Sequence, residues 1–169
     1  KWELYFPQGG NPTGPDRPND ALFRNVDGQF VEVTPFAGIV EREYSQGVTI
    51  GDFNNDGFED IFVTNIQGVP DELFQNQGDG TFQKITADSG TSDLKWSTSA
   101  AWADLDRDGY LDLVAVPLSS PTLLILANRG GAGFDWKAGW EGITGAGGRT
   151  VSVADLTGDG YPDIVWSGS

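Results

Sequence analysis

Short apolar runs alternate with turns rich in glycine and aspartate along the chain. Three of these runs span residues 61–63, 113–116 and 164–166, and each follows an aspartate-rich segment. Apolar runs of this length between turn signals are typical of buried strands. Because no segment sustains the 3.6-residue apolar period of an amphipathic helix, the pattern predicts an all-β chain with little helix.

The aspartate-rich segments are three copies of one pattern, D-x-[DNT]-x-D-G-x-x-D. They are residues 52–60 (loop 1), 104–112 (loop 2) and 155–163 (loop 3). A second pattern, Leu-Phe-x-Asn followed by a glycine turn and Phe, keeps the same spacing at residues 22–30 and 73–82, with a degenerate third copy at 128–134. Two independent patterns in one register establish an internal repeat of about fifty residues.

Each repeat contains four strand-like segments. One segment precedes the aspartate loop, an apolar run follows the loop, and residues 72–75 and 81–85 form a hairpin across Asp79-Gly80. Strands spaced roughly 10–13 residues apart in such a repeat predict four-stranded antiparallel β-propeller blades. The predicted units are a partial first blade with a Pro/Gly-rich N-terminal segment (1–47), a blade with loop 1 (48–98), a blade with loop 2 (99–149) and a partial last blade with loop 3 (150–169).

About three repeats are too few for a closed ring, because propellers usually have about 4–8 blades. The sequence therefore predicts an arc, or part of a larger propeller, with two unpaired edges. Unpaired strand edges favour pairing with other chains, and the strand at 164–166 is expected to pair with the strand near 2–6 of a neighbour. An accessory structural subunit of a larger multi-chain assembly is accordingly one alternative function.

The spacing of the three loops fits a cation site built from oxygen atoms. Positions one, three, five and nine can point side-chain oxygens at one ion, position seven can offer its carbonyl, and glycine at position six permits a sharp turn. The predicted ligands are Asp52, Asn54, Asp56, Phe58 (carbonyl) and Asp60 in loop 1, Asp104, Asp106, Asp108, Tyr110 (carbonyl) and Asp112 in loop 2, and Asp155, Thr157, Asp159, Tyr161 (carbonyl) and Asp163 in loop 3.

Two or three Ca²⁺ ions are expected in these loops. Loop 2, with four carboxylates, is expected to bind most tightly, and loop 3 least, because Thr157 offers a neutral ligand. An EF-hand is excluded because strands flank the loops and position twelve is never acidic. The alternative is that Asp and Gly only shape turns, which is the interpretation preferred for residues 25–28 and 76–80.

The amino-acid composition further restricts the kinds of partner and binding site that the chain can have. The 169 residues include 25 Asp+Glu against 10 Lys+Arg, a formal charge of −15, which disfavours nucleic acid as a partner. With no Cys and no His, the chain has no Cys/His zinc site, Cys nucleophile or Ser-His-Asp triad. The longest apolar run, 121–127, is too short for membrane insertion. The remaining oxygen ligands suit Ca²⁺.

The two patterns together resemble a known family. The aspartate loops followed by β-runs resemble the FG-GAP/VCBS repeats of integrin-alpha-type β-propellers, and the Leu-Phe-x-Asn pattern followed by Val-Thr or Ile-Thr resembles the cartilage-acidic-protein (ASPIC/UnbV-like) branch. The resemblance covers residues 20–169 and departs at Thr157 and at 128–134. It implies calcium-rigidified loops on an extracellular adhesion, carbohydrate-binding or protein-binding platform.

The leading hypothesis is a calcium-stabilised, non-enzymatic binding or scaffold module of an exported protein, placed extracellularly, at the cell surface or in the periplasm. Its ligand is a protein or a glycan, and Trp136 and Trp140 are the candidate ligand surface, whereas Trp102 and Trp166 are expected to pack between blades. A carbohydrate- or phosphoester-active hydrolase is less favoured, because nearly every clustered carboxylate belongs to a loop. No catalytic residue is predicted.

Overall fold

The structure, a computed structural model, describes residues 3–8, 20–39, 44–65, 69–92, 97–118, 120–137, 140 and 148–168. Most of the Pro/Gly-rich N-terminal segment, residues 9–19, lies outside the described residues, as does Trp2 of the predicted first strand. The described elements, in chain order, are β1 (Glu3–Phe6), β2 (Ala21–Val26), β3 (Gln29–Glu32), α1 (Thr34–Ala37), β4 (Ser45–Gly51), β5 (Asp60–Asn65), β6 (Glu72–Asn76), β7 (Phe82–Lys84), α2 (Thr86–Ser89), β8 (Ser97–Ala103), β9 (Asp112–Pro117), β10 (Leu124–Asn128), β11 (Phe134–Trp136), β12 (Gly148–Ala154) and β13 (Asp163–Gly168).

These strands form four antiparallel sheets in which each strand pairs with its neighbour along the chain. Sheet 1 is β1-β2-β3, sheet 2 is β4-β5-β6-β7, sheet 3 is β8-β9-β10-β11 and sheet 4 is β12-β13. The predicted all-β class with four-stranded antiparallel sheets is confirmed. The first strands of sheets 2, 3 and 4 each begin with a register shift, which adds residues before the predicted apolar segment.

The central strands are continuous apolar runs because both of their faces are covered. Every residue of β5 and of β9 is buried. Successive side chains of a strand point to opposite faces, so Ile61 and Val63 pack with sheet 1 while Phe62 packs with sheet 3. A strand buried on both faces takes apolar residues at consecutive positions instead of alternate ones, here residues 61–63 of β5 and 113–116 of β9. The short runs seen in the sequence are therefore the middle layers of the core.

Three hydrophobic clusters join each sheet to the next. The first joins sheet 1 to sheet 2, the second joins sheet 2 to sheet 3, and the third joins sheet 3 to sheet 4. Trp102 lies in the second cluster, with its ring centre 6.0 Å from that of Phe62, and Trp166 packs against the third. Among the described residues, no cluster joins sheet 1 to sheet 4, so the sheets form an open arc consistent with propeller blades.

A buried carboxylate also ties sheet 1 to sheet 2. Asp20, directly before β2, is fully buried and accepts hydrogen bonds from the Tyr5 hydroxyl (2.7 Å), the Ser45 hydroxyl (2.8 Å) and the Gln8 amide (2.6 Å). Burial is the main cause that raises the pKa of Asp20 above its ordinary value. Asp20 therefore joins the first two sheets by hydrogen bonds, whereas the hydrophobic clusters join neighbouring sheets by apolar contacts.

The two helices are single turns that follow the outer strands of sheets 1 and 2. The first residue of each uses its hydroxyl to accept a backbone amide of the neighbouring strand, Thr34 from Leu22 at 2.9 Å and Thr86 from Leu73 at 3.0 Å. Each ends at a left-handed glycine, and a Cβ on Gly90 would overlap the carbonyl oxygen of Phe134 in sheet 3. Neither described helix is long enough to cross a membrane.

Candidate metal centres

Each aspartate loop connects the first two strands of its sheet. Loop 1 joins β4 to β5, loop 2 joins β8 to β9, and loop 3 joins β12 to β13, and the position-nine aspartate is the first residue of the second strand. The loops share one backbone shape, with positive φ at positions four and six. These φ values are 57° at Asn55, 64° at Arg107 and 75° at Gly158 for position four, and 89° at Gly57, 91° at Gly109 and 83° at Gly160 for position six.

Side-chain carboxylates hold this shape by accepting backbone amides within the loop. The position-one aspartate accepts the amide of the position-six glycine at 2.8 Å, 3.0 Å and 2.9 Å in loops 1, 2 and 3. The position-five aspartate accepts the amide of position seven, that is Phe58, Tyr110 or Tyr161, at 2.9 Å in each loop. The carboxylates at positions one and five are therefore turned into the loop in all three copies.

Loop 2 brings three carboxylates to one point. Oxygens of Asp104, Asp106 and Asp108 lie within 4.8 Å of one another, and in the described part of the chain this is the one acidic group of three at that distance. Carboxylates so close repel one another unless a cation offsets their charge. Three hard oxygen ligands in one loop fit Ca²⁺ chemically, because this ion is bound by carboxylate, carbonyl and water oxygens.

A cationic side chain already lies at this cluster. The Lys137 ammonium donates to Asp106 and also lies 4.5 Å from the centre of the Trp140 ring. Its hydrogen bond is the main cause that lowers the pKa of Asp106, and the same bond raises the pKa of Lys137. The loop 2 cluster thus attracts positive charge, and Lys137 would compete with a metal ion for Asp106.

The position-nine aspartates of loops 1 and 2, Asp60 and Asp112, differ from the other predicted ligands because they are fully buried, whereas Asp163 of loop 3 is half-buried. One oxygen of Asp60 accepts the Phe53 amide at 3.2 Å and the other accepts the Asn76 amide at 2.8 Å. Burial is the main cause that raises the pKa of Asp60 to about 7, and the charges of Asp56 and Asp52 add to it. A cation in the loop would offset the repulsion among these three carboxylates.

Asp112 has the same environment in loop 2. It accepts the amides of Leu105 and Asn128, both at 2.8 Å, and burial likewise raises its pKa. It is not one of the three converging carboxylates. Its observed contacts anchor the loop to the sheet, and its predicted role as a fourth side-chain ligand stays a prediction.

Two asparagines that sequence reasoning treated as turn residues support the loops. Besides its main-chain bond to the position-nine aspartate, Asn76 donates its side-chain amide to the Glu59 carbonyl at 3.0 Å. Asn128 donates to two carbonyls, those of Leu111 in loop 2 and Phe53 in loop 1, both at 2.8 Å. The sequence contained a signal for this role, because the two patterns keep the same spacing in each repeat. The Asn of one pattern forms a hydrogen bond with the Asp of the other.

Loops 1 and 3 are less acidic at their centres. In loop 1 the position-three residue is Asn54, whose amide donates to Asp56 at 2.9 Å where loop 2 has a third carboxylate. In loop 3 the Asp155 carboxylate accepts the position-four amide of Gly158 at 2.7 Å, and Asp163 accepts the amide of Thr157 at 3.1 Å. Loop 3 is also the most exposed of the three.

The predicted ligand surface is divided between two environments. Trp136 on β11 is 61% exposed, whereas Trp140 packs partly against the third hydrophobic cluster. A groove of about 1110 Å³ lies between sheets 1 and 2 beside loop 1, and its lining includes Arg24, Phe58 and Asp79. The groove was not expected from the sequence, because its walls come from residues far apart in the chain.

Comparison with known families agrees with this architecture. A family described as "FG-GAP-like repeat" matches residues 13–63 and 52–115, and a family described as "FG-GAP repeat" matches residues 147–168. These matches contain all three aspartate loops. The suspected family is therefore confirmed.

The chain is similar to proteins named "Cartilage acidic protein 1" from human, mouse and Xenopus tropicalis. The human protein is 33% identical over 139 residues, which are 80% of this chain and 21% of the human protein. The mouse protein is 34% identical over 131 residues, which are 76% of this chain and 20% of the mouse protein. The Xenopus tropicalis protein is 39% identical over 90 residues, which are 53% of this chain and 14% of the Xenopus protein. The chain thus spans about a fifth or less of the length of these relatives.

Proposed function

The chain belongs to the FG-GAP-like repeat family, and from that premise we propose that it is a calcium-stabilised, non-enzymatic binding or scaffold module. The observation that carries the calcium assignment is the convergence of Asp104, Asp106 and Asp108 on one point. Loops 1 and 2 are the principal sites and loop 3 is the weakest, with the ligands that the spacing predicts. Bound Ca²⁺ supplies positive charge at the centre of each loop and fixes the oxygens around it.

Calcium would stabilise the fold through electrostatics. Three Ca²⁺ ions would change the formal charge from −15 to −9. The ions would also offset the repulsion at Asp60, whose pKa is raised partly by neighbouring carboxylates. A ligand that binds only the folded state stabilises it by about 2.7 kcal/mol at a hundred times its Kd.

The test is calorimetric titration of Ca²⁺ into chelator-treated protein, with thermal melts before and after. Two or three sites and a clear rise in Tm are expected. Asp108→Asn should remove loop 2 from the titration, whereas Asp27→Asn, an equal charge change in the exposed β2–β3 turn, should leave all sites. No heat of binding and no change in Tm would leave the loops as turns and refute the proposal.

We further propose that the module works outside the cytoplasm, in an extracellular, cell-surface or periplasmic location. Calcium there is abundant enough to fill even sites with Kd of about 10⁻⁴–10⁻³ M. The family membership and the three exposed loops support this assignment. Expression with and without an export signal, followed by measurement of calcium-dependent Tm in each fraction, would test it: a protein that folds fully only in the cytosolic fraction contradicts it.

The ligand we propose is a protein or a glycan, bound at Trp136 and Trp140 or in the groove beside loop 1. Exposed aromatic rings next to charged side chains support both ligand classes. A glycan array and a protein-capture experiment on Trp136→Ala and Phe58→Ala variants would separate the two surfaces. Binding that survives both substitutions would exclude these surfaces.

The accessory-subunit alternative rests on strand edges. Within the described residues β1 pairs only with β2, and β13 pairs only with β12, so each has an edge with unpaired backbone groups. Such edges take up further strands, from the rest of a longer protein or from another chain. A complex in which β13 is hydrogen-bonded to a strand of another chain would favour the accessory subunit over a free-standing binding module. We propose the four units predicted from the sequence as successive blades in either case.

A further inference from the structure

Loops 1 and 2 each contact the next loop through the side chain at position four. Asn55 of loop 1 donates its side-chain amide to the Gly109 carbonyl of loop 2 at 2.8 Å. Arg107 of loop 2 places its guanidinium carbon 4.8 Å from the centre of the Tyr161 ring in loop 3. The same position of the repeat therefore reaches positions six and seven of the next loop, twice in succession.

The backbone conformation at position four indicates that the side chains of Asn55 and Arg107 have a role in contacting the next loop. Its φ is 57° at Asn55 and 64° at Arg107, in the left-handed region where glycine is the default residue. Loop 3 has glycine there, Gly158, and so has no side chain to extend. Arginine is unfavourable at such a φ, so its presence in loop 2 is best explained by its contact with loop 3.

We propose that these contacts couple the loops, so that calcium binding in one loop raises the calcium affinity of the next. The inference rests on the proposed calcium sites. Asn55 lies between Asn54 and Asp56, both predicted ligands, so an ion in loop 1 fixes the segment that presents its side chain. Gly109, whose carbonyl Asn55 holds, also donates its own amide to Asp104, the first ligand of loop 2, at 3.0 Å.

The contact at the loop tips is the part of the interface that metal binding can change. The bases of loops 1 and 2 are already joined by the buried Asn128 amide, which bonds a carbonyl of each loop. The Asn55–Gly109 contact is exposed and flanked by the predicted ligands. Its loss should raise the Ca²⁺ concentration that half-fills the second of the two loops to bind about two- to tenfold, the effect of one ordinary hydrogen bond.

The decisive variant is Asn55→Gly, which keeps the charge and tolerates positive φ but removes the contact. Ca²⁺ is titrated into ¹⁵N-labelled, chelator-treated protein, and the amide resonances of Gly57, Gly109 and Gly160 report on loops 1, 2 and 3. Because coupling between two sites is reciprocal, in Asn55→Gly the midpoint of whichever of loops 1 and 2 fills second, read at Gly57 or Gly109, should rise about two- to tenfold. Asp27→Gly is the matched control, because Asp27 also has positive φ (53°) and lies in the β2–β3 turn, and it should change none of the midpoints.

Blocking loop 2, the loop expected to fill first, provides an independent measurement. Asp108→Asn should raise the Gly57 midpoint in the native sequence but not in the Asn55→Gly background, because the contact is already lost there. Arg107→Gly should likewise raise the Gly160 midpoint and leave that of Gly57 unchanged. Unchanged midpoints at Gly57 and Gly109 in Asn55→Gly, with all loops still binding in that variant, together with an unchanged Gly57 midpoint in Asp108→Asn, would overturn the coupling alone. No calcium response at any loop glycine of the native protein would instead overturn the calcium sites themselves.

Discussion

Replacing Asn128 with alanine tests whether the two repeated sequence patterns depend on each other physically. Asn128 is 8% exposed, and its side chain makes three hydrogen bonds of 2.8 Å. Two go from its amide to the carbonyls of Phe53 and Leu111, and one goes from the Gly131 amide to its carbonyl oxygen. Alanine would leave all three buried or half-buried backbone groups without this partner.

The expected loss follows from these bonds. A hydrogen bond contributes about 0.5–1.5 kcal/mol net, so three give about 1.5–4.5 kcal/mol, with the upper half favoured because the site is buried. Asn76 is the matched control in the previous repeat. Its half-buried side chain makes two bonds of 3.0 Å, to the Glu59 carbonyl and from the Gly78 amide, so Asn76→Ala should cost about 1–2 kcal/mol.

The assay is urea unfolding of both variants in chelator and again in saturating Ca²⁺. Asn128→Ala should be the less stable variant by about 1–2 kcal/mol in chelator. Its stabilisation by Ca²⁺ should also be smaller than that of Asn76→Ala, because it alone loses the bond that joins two loops. Equal losses within about 0.5 kcal/mol in the two variants would refute the reasoning that the buried bridge stabilises the fold.

Three further predictions concern other parts of the molecule. Gly90→Ala should lower the free energy of unfolding in urea by about 2–5 kcal/mol, because Gly90 has positive φ and an added Cβ would overlap the next sheet. Gly28→Ala should lower it by only about 1–2 kcal/mol, because Gly28 has positive φ but open space around it. Similar losses in the two variants would contradict this prediction. Asp20 has a raised pKa, so its bound proton stabilises the folded state below pH 3.8, and this contribution is lost as pH rises through the folded pKa. The free energy of unfolding of the native protein, relative to that of Asp20→Asn, should therefore fall with rising pH. A rise in this difference would be inconsistent with the prediction. Lys137→Gln should raise the calorimetric Ca²⁺ affinity of loop 2 about two- to fivefold by freeing Asp106, and an unchanged affinity would show that the lysine does not compete.

The strand pattern was predictable because the same physical cause acts in every repeat. Phe62 and Leu113 occupy central strands whose two faces are both covered, and that requirement leaves an uninterrupted apolar run in the sequence. The aspartate loops were equally visible, because positive φ at position six requires glycine each time. Local backbone demands of this kind appear as sequence patterns.

The contacts that modify the candidate site were not predictable from pattern. Lys137 reaches Asp106 across 31 positions, and Asn128 reaches Phe53 across 75. Such pairs depend on how successive sheets pack, and neither residue differs in type from an ordinary surface Lys or turn Asn. The single-turn helices were missed for another reason: Thr34–Ala37 and Thr86–Ser89 are too short to produce a 3.6-residue apolar period.

The degenerate third copy of the second pattern shows which of its residues matters to the loops. Residues 128–134 depart from the glycine-turn spacing of the other copies but keep the asparagine at 128, whose side-chain amide bonds the Leu111 carbonyl of loop 2 as that of Asn76 bonds the Glu59 carbonyl of loop 1. The asparagine is kept because its side chain makes these bonds, whereas residues 129, 130 and 132 of the turn are exposed and can vary. A metal loop and the hairpin beside it are therefore one structural unit. For this reason calcium binding in a loop should stabilise the hairpin of the same sheet as well as the loop itself.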